Sequence, residues 1–184
     1  MPAHPMKPHR LEIMISAEDI AARVDGLVTE MQRDLQGDNV VMIGILRGSF
    51  IFLADLVRDL YQHRVAPKID FITLESYGSG TESSGQVRVV KELRLDVTGA
   101  DVVLVDDILD SGRTLTFAAD YLRGLGARSV KTCALLDKPA RRAAKFDADY
   151  VGFKIEDTFV VGYGLDYDSR YRELPYIAKV VFPE

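Results

Sequence analysis

The stretch Val102–Thr114, VVLVDDILDSGRT, decides how the rest of the chain is read. Its apolar run Val102-Val103-Leu104-Val105 has no polar alternation, as expected of a parallel strand covered on both faces. Asp106 and Asp107 follow at the carboxyl end of that strand. Asp110-Ser111-Gly112-Arg113-Thr114 then offer hydroxyls, a glycine and free backbone N–H groups, just where Leu115, Ala118, Tyr121, Leu122 and Leu125 set a helical rhythm. The pattern is a buried strand, an acidic pair and a phosphate cradle at a helix N-terminus.

A chain of 184 residues forms one domain of ordinary size, with a core large enough to need neither disulfides nor structural metal. With 23 Lys and Arg against 28 Asp and Glu, the net charge of −5 argues against a surface built for nucleic acid or acidic membranes, while leaving room for a local basic pocket. The one cysteine, Cys133, sits in the apolar run Thr132–Leu136 and reads as a small buried hydrophobe. Pro2, Pro5 and Pro8 punctuate a start without an apolar core, and no later run is long and apolar enough to span a bilayer. These features predict a cytoplasmic protein with a flexible tail over residues 1–10 and a single domain over 11–184.

Outward from the opening stretch, strands and helices alternate. Leu11–Ile15 is a short strand, Ser16 is a helix N-cap with Asp19 in the first turn, and Ile20, Val24, Leu27, Val28, Met31 and Leu35 keep helical spacing up to Gly37. Val40–Leu46 is a buried strand that breaks at Arg47-Gly48-Ser49 before a second helix through Leu60. Lys68–Glu75 and Val87–Val90 are partner strands around a glycine- and serine-rich loop, taken as mobile over 76–86. Val130–Leu136, Tyr150–Ile155, Phe159–Val161 and Ile177–Phe182 complete the strands. The fold class is α/β, in three layers, with a mainly parallel sheet whose ligands lie at the carboxyl ends of its strands.

Taken alone, the motifs differ in specificity. Asp106 and Asp107 suit the hydroxyls of a sugar or a Mg²⁺ ion, while the turn after them holds a phosphate. The turn lacks the G-x-x-x-x-G-K-[ST] pattern, so triphosphate hydrolysis is not indicated. Asp110 stands where a helix N-cap would. Arg47-Gly48, at a strand end, combines exposed N–H groups with a guanidinium and suits pyrophosphate. By themselves, Lys138 reads as a solvated charge and Phe159 as core. His4, His9 and His63 have no metal-ligand spacing.

Val102–Thr114 resembles the phosphoribosyl-pyrophosphate signature of type I phosphoribosyltransferases. Leu46-Arg47-Gly48-Ser49, Ser76-Tyr77, Lys138 and the block from Phe159-Val160-Val161-Gly162-Tyr163-Gly164-Leu165-Asp166-Tyr167 to Arg172 stand in the order found in the hypoxanthine-guanine phosphoribosyltransferase family of bacterial type. The likeness covers essentially everything after the tail, and Lys138 with the Phe159–Arg172 block narrows it to 6-oxopurines.

The resemblance implies a type I phosphoribosyltransferase fold with a small hood, and transfer of a ribosyl group from 5-phosphoribosyl 1-pyrophosphate to hypoxanthine or guanine with Mg²⁺. Asp110, Ser111, Gly112, Arg113 and Thr114 would bind the 5′-phosphate, with Asp110 also the general base toward purine N7. Asp106 and Asp107 would face the ribose hydroxyls and the metal, and stabilise positive charge at C1′. Arg47, Gly48 and Arg172 would take pyrophosphate; Lys138, Phe159, Val160 and Asp166 would take the purine, with Asp166 near a second metal. Ser76 and Tyr77 would start a lid that excludes water, and the Leu46–Arg47 peptide can be cis in this family. Family members are homodimers or homotetramers.

The sequence departs from the family in its acidic pair, Asp-Asp where Glu-Asp is usual, so Asp106 reaches one methylene less far. Two other readings compete: a regulatory protein of this fold that binds phosphoribosyl pyrophosphate without turnover, and a transferase preferring xanthine. An intact Asp110 and the absence of a basic nucleic-acid-binding extension weigh against the first.

Overall fold

A computed structural model describes residues 7–35, 37–77 and 86–183. The chain runs β1 (Arg10–Ile15), α1 (Ala17–Asp34), β2 (Val40–Leu46), α2 (Phe50–Leu60), β3 (Lys68–Tyr77), β4 (Gln86–Lys91), β5 (Asp101–Leu109), α3 (Arg113–Gly124), β6 (Ser129–Asp137), β7 (Tyr150–Lys154), β8 (Val160–Val161) and β9 (Ile177–Val181). The main sheet has the order β4-β3-β2-β5-β6-β7 and is parallel except for the antiparallel β3–β4 edge. β1, β9 and β8 form a separate antiparallel sheet, the hood.

Strand β5 shows why its apolar run is unbroken. Val103 and Val105 face the core shared with Leu27 and Met31 of α1 and Phe52 and Leu56 of α2, whereas Val102 and Leu104 face Leu115, Ala118 and Leu122 of α3. Both faces are therefore covered, and each large side chain fully buried this way contributes about 1.5–3 kcal/mol relative to exposure.

Helix α1 begins as its sequence predicts, with Ser16 Oγ accepting the Asp19 N–H at 3.1 Å. Helix α3 does not. It starts at Arg113, and the cap position falls on Gly112 at φ 83° rather than on Asp110. The cap reading of Asp110 is thereby corrected. The hydroxyl of Thr116 and its N–H both turn back to Gly112 O, at 2.8 and 3.0 Å, so the first turn is closed from inside the helix and Asp110 is released for other contacts.

The strand order reverses between β2 and β5, since from β2 the chain adds β3 on one side and β5 on the other. Such a switch point opens a crevice beyond the carboxyl ends of the two strands. Here those ends bear Arg47-Gly48 and Asp106–Thr114. Of the predicted lid, Ser76 and Tyr77 end β3, and residues 78–85 lie outside the described residues. No helix of the described residues is long and apolar enough to cross a membrane.

Candidate active site

The crevice is a cavity of about 420 Å³ whose wall includes Arg47, Gly48, Asp106, Asp107, Asp110 and Ser111. Gly112, Thr114, Asp166 and Arg172 complete the predicted residues that line it. Residues separated by more than a hundred positions in the chain thus share one wall because β2 and β5 are neighbours and the hood loop folds over both.

Close approach explains the glycine of the β2 loop. A Cβ on Gly48 would lie 1.5 Å from Asp107 Oδ2, so any larger residue would push the loop off the carboxylate. Gly164 of the hood loop, at φ 104°, repeats the device: a Cβ there would meet Gly48 O at 2.1 Å. The hood loop is thus stacked on the β2 loop, and the β2 loop on the Asp107 carboxylate. The Leu46–Arg47 peptide, whose state the sequence left open, is cis.

Asp106 is 7% exposed and accepts the Asp107 N–H at 3.0 Å. Among the described residues no Lys or Arg forms an ion pair with either acid. Burial pushes the Asp106 carboxyl well above its usual range, and the neighbouring Asp107 charge adds to the shift. Burial raises Asp107 as well, opposed in part by a hydrogen bond with the Asp106 side chain, then by backbone hydrogen bonds and the Arg172 charge. A buried acid beside a half-buried one, neither in an ion pair among the described residues, is a costly electrostatic arrangement that a divalent cation would relieve, and an all-oxygen donor pair suits Mg²⁺.

Arg172 is held in place by donating to Gly164 O at 2.5 Å and by pairing with Asp166 at 2.6 Å. Asp166 in turn accepts the Ser169 N–H at 2.7 Å. Asp110 lies on the cavity wall with Arg141 Nε 2.8 Å from its Oδ1, and Arg141 also reaches Asp157 at 3.3 Å. Ser111 Oγ accepts the Arg113 N–H at 3.4 Å. The Arg113 side chain is exposed and stands outside the cavity wall, so from that residue the cradle gains backbone only.

Of the predicted purine residues, Asp166 lines the cavity, whereas Lys138, Phe159 and Val160 stand off its wall. Lys138 is buried at 7% exposure and donates from Nζ to Thr158 O at 2.7 Å, which ties the end of β6 to the segment entering β8. Phe159 is not core: its ring is 45% exposed and meets Tyr167 edge to face at 5.4 Å. Val160 is buried, and Phe159 O accepts the Val180 N–H of the hood at 2.9 Å. An exposed ring with its backbone fixed from behind offers a flat stacking face.

The family model for the phosphoribosyl transferase domain matches residues 14–168. The chain belongs to the phosphoribosyltransferase family. It is 45% identical over 176 residues to the hypoxanthine phosphoribosyltransferase of Escherichia coli K12, covering 94% of this chain and 97% of that protein. With the Haemophilus influenzae protein of the same name it shares 43% over 182 residues, covering 97% of this chain and 100% of the relative. A hypoxanthine-guanine phosphoribosyltransferase structure from Bacillus anthracis superposes with a TM-score of 0.87 at 44% identity, covering 92% of this chain and 98% of that one. This phosphoribosyltransferase therefore has the fold that its sequence predicts, hood included.

Arg141 and Gly164 were not singled out by their sequence. Arg141 lies in a run of mixed charge without a pattern, and its place against Asp110 depends on the chain turning at Pro139–Arg141. Gly164 had a usable signal in the Gly162-Tyr163-Gly164 spacing, since alternating glycines mark close backbone approach. His63, without ligand spacing in the sequence, comes within 4.8 Å of Asp25 and Asp59 through the packing of α1 on α2, but does not line the cavity.

Proposed function

We propose that this phosphoribosyltransferase salvages 6-oxopurines, converting hypoxanthine or guanine and 5-phosphoribosyl 1-pyrophosphate to inosine or guanosine monophosphate and pyrophosphate, with Mg²⁺ as cofactor. The observation that supports this most is the cavity at the β2–β5 switch point, where buried Asp106 and half-buried Asp107, neither in an ion pair among the described residues, stand between a phosphate-type helix N-terminus and the Gly48 and Arg172 loops.

In this reading the backbone N–H groups at Ser111–Thr114, with the hydroxyls of Ser111 and Thr114, hold the 5′-phosphate at the positive end of α3. Arg47, Gly48 and Arg172 hold the pyrophosphate. The C1′–oxygen bond breaks with its electron pair going to pyrophosphate, and purine N9 forms the new bond to C1′. Asp106 and Asp107 stabilise the positive charge on the ribose ring and face its hydroxyls. Mg²⁺ held by this pair would neutralise the leaving pyrophosphate, and Asp166 would serve a second ion or the purine two-position. Asp110 takes a share of the proton on purine N7, exchanging its contact with Arg141 for one with the base. Lys138 donates toward the exocyclic O6, Phe159 stacks on the base and Val160 adds backbone contacts. Ser76 and Tyr77 begin the lid that keeps water from C1′.

We further place the protein in the cytoplasm as a homodimer or homotetramer, supported by the single buried thiol of Cys133 and by the family resemblance. The deciding experiment is a spectrophotometric assay with phosphoribosyl pyrophosphate, MgCl₂ and hypoxanthine, guanine or xanthine in turn. Turnover with hypoxanthine or guanine is expected. Binding of phosphoribosyl pyrophosphate without turnover of any purine would instead support a regulatory protein.

A further inference from the structure

A loop can aim its N–H groups at a phosphate only if its carbonyls are turned the other way, and from Leu109 to Gly112 each carbonyl is held from behind. The Lys138 N–H donates to Leu109 O at 2.9 Å, and the Ala143 and Ala144 N–H groups donate to Ser111 O at 3.0 and 2.9 Å. Thr116 serves Gly112 O. The remaining carbonyl, that of Asp110, accepts from a side chain: Arg142 Nη1 lies 2.5 Å from it and 3.3 Å from Leu109 O.

Arg142 is itself anchored. Its Nη2 pairs with the carboxylate of Asp137, the last residue of β6, and the two side chains are 15% and 8% exposed. A Cβ added to Gly112 would lie 3.3 Å from Arg142 Cδ, so the arginine stem packs under the cradle. The planar guanidinium serves the carboxylate with one nitrogen and the two carbonyls with another, which a lysine ammonium cannot reproduce. Because Asp137 neutralises the charge, the effect of Arg142 is orientation of the loop and not long-range attraction of phosphate.

We propose that Arg142, seated on Asp137, is a positioning residue that holds the Asp110 carbonyl away from the cavity and so keeps the cradle open to a 5′-phosphate. The same pair links the cradle to Lys138 and hence to the purine side of the site. The proposal rests on the phosphoribosyl reading of that loop.

The test uses the full chain with ribose 5-phosphate and, separately, pyrophosphate as calorimetric probes in MgCl₂. Misplacement of the loop in Arg142→Gln weakens ribose 5-phosphate by about 10-fold to 100-fold, and leaves pyrophosphate within about twofold. Asp137→Asn/Arg142→Gln removes the uncompensated buried carboxylate, so its melting temperature recovers while ribose 5-phosphate stays weak. Arg142→Lys keeps the charge pair and melts near wild type, yet also binds ribose 5-phosphate weakly; it decides the matter if the glutamine variants do not fold. In turnover, the KM for phosphoribosyl pyrophosphate rises more than the KM for hypoxanthine. Folded variants that bind ribose 5-phosphate as wild type does, or that lose both probes equally, overturn the proposal, as does wild-type protein that fails to bind ribose 5-phosphate. The binding split is read without turnover, so absence of transferase activity would defeat the salvage reading and leave this result standing by itself.

Discussion

Asp106 and Asp137 are buried carboxylates at the carboxyl ends of adjacent parallel strands, 7% and 5% exposed, yet their surroundings are opposite. Asp137 has the guanidinium of Arg142 against it, while Asp106 has a second acid, Asp107, and no cation in ion-pair range among the described residues. Burying a charge is tolerable when it is paired and hydrogen-bonded, and otherwise weakens the fold. The contrast teaches that the β6 end is finished by the protein, whereas the β5 end is arranged for something it binds.

The sharpest way to break this contrast is to remove each charge at constant volume. Asp106→Asn and Asp107→Asn should lower turnover by about 10²–10³-fold, the size expected for losing a preorganised electrostatic group, with an unchanged or higher melting temperature. Steady-state kinetics beside thermal melts check this, and a lower melting temperature would show that the pair is structural.

Asp137→Asn should do the reverse to the fold, costing about 3–5 kcal/mol in urea unfolding because the Arg142 charge is left buried and unpaired. Combining it with Arg142→Gln should recover most of that loss. Equal stability of single and double variants would mean that the pair is not an ion pair in solution.

A smaller effect sharpens the comparison through pH. Burial first, and then the Asp107 charge, raise the Asp106 carboxyl in the folded state, so the folded protein holds the proton more tightly than the unfolded chain does. Stability is therefore greatest where the pair is protonated and is lost as pH rises from about 3.9 through the folded-state value. The stability difference between Asp106→Asn and wild type should widen over that rise, and MgCl₂ should narrow it by binding the folded ionised pair. Urea unfolding at a series of pH values measures this; a difference flat with pH would exclude it.

The smallest effect is expected at the other end of β5. Asp101 is paired with exposed Arg128 and accepts the Ser129 hydroxyl at 2.7 Å; the Arg128 hydrogen bond and then that of Ser129 hold its carboxyl below the usual range. Asp101→Asn should shift the urea midpoint less than Asp137→Asn, lose even that shift at high salt, and leave turnover unchanged. One strand thus bears acids of contrasting kinds, and only those at its carboxyl end face the cavity.

Much of this was legible locally. The apolar run of β5, the Ser16 cap and the Arg47-Gly48 break are governed by neighbours in the chain, and the structure has each where the residues placed it. Asp110 was legible only in part. Its residue type suits a helix cap, but the Thr116 hydroxyl closes the first turn and the Arg141 side chain engages the carboxylate, both contacts invisible to spacing. Phe159 read as core by its apolar neighbours and stands half exposed just before the two-residue β8, its ring meeting Tyr167 edge to face.

What the sequence by itself determined is the alternation of strands and helices and the chemistry offered at each strand end, since both follow from local periodicity and residue type. Tertiary structure decided which of those ends meet. The reversal of strand order between β2 and β5 puts Gly48 against Asp107, the hood loop sets Gly164 on Gly48, and the turn after β6 seats Arg142 on Asp137 beneath the cradle. None of these contacts has a local signature, because each joins groups whose approach is set by sheet order and close packing and not by distance along the chain.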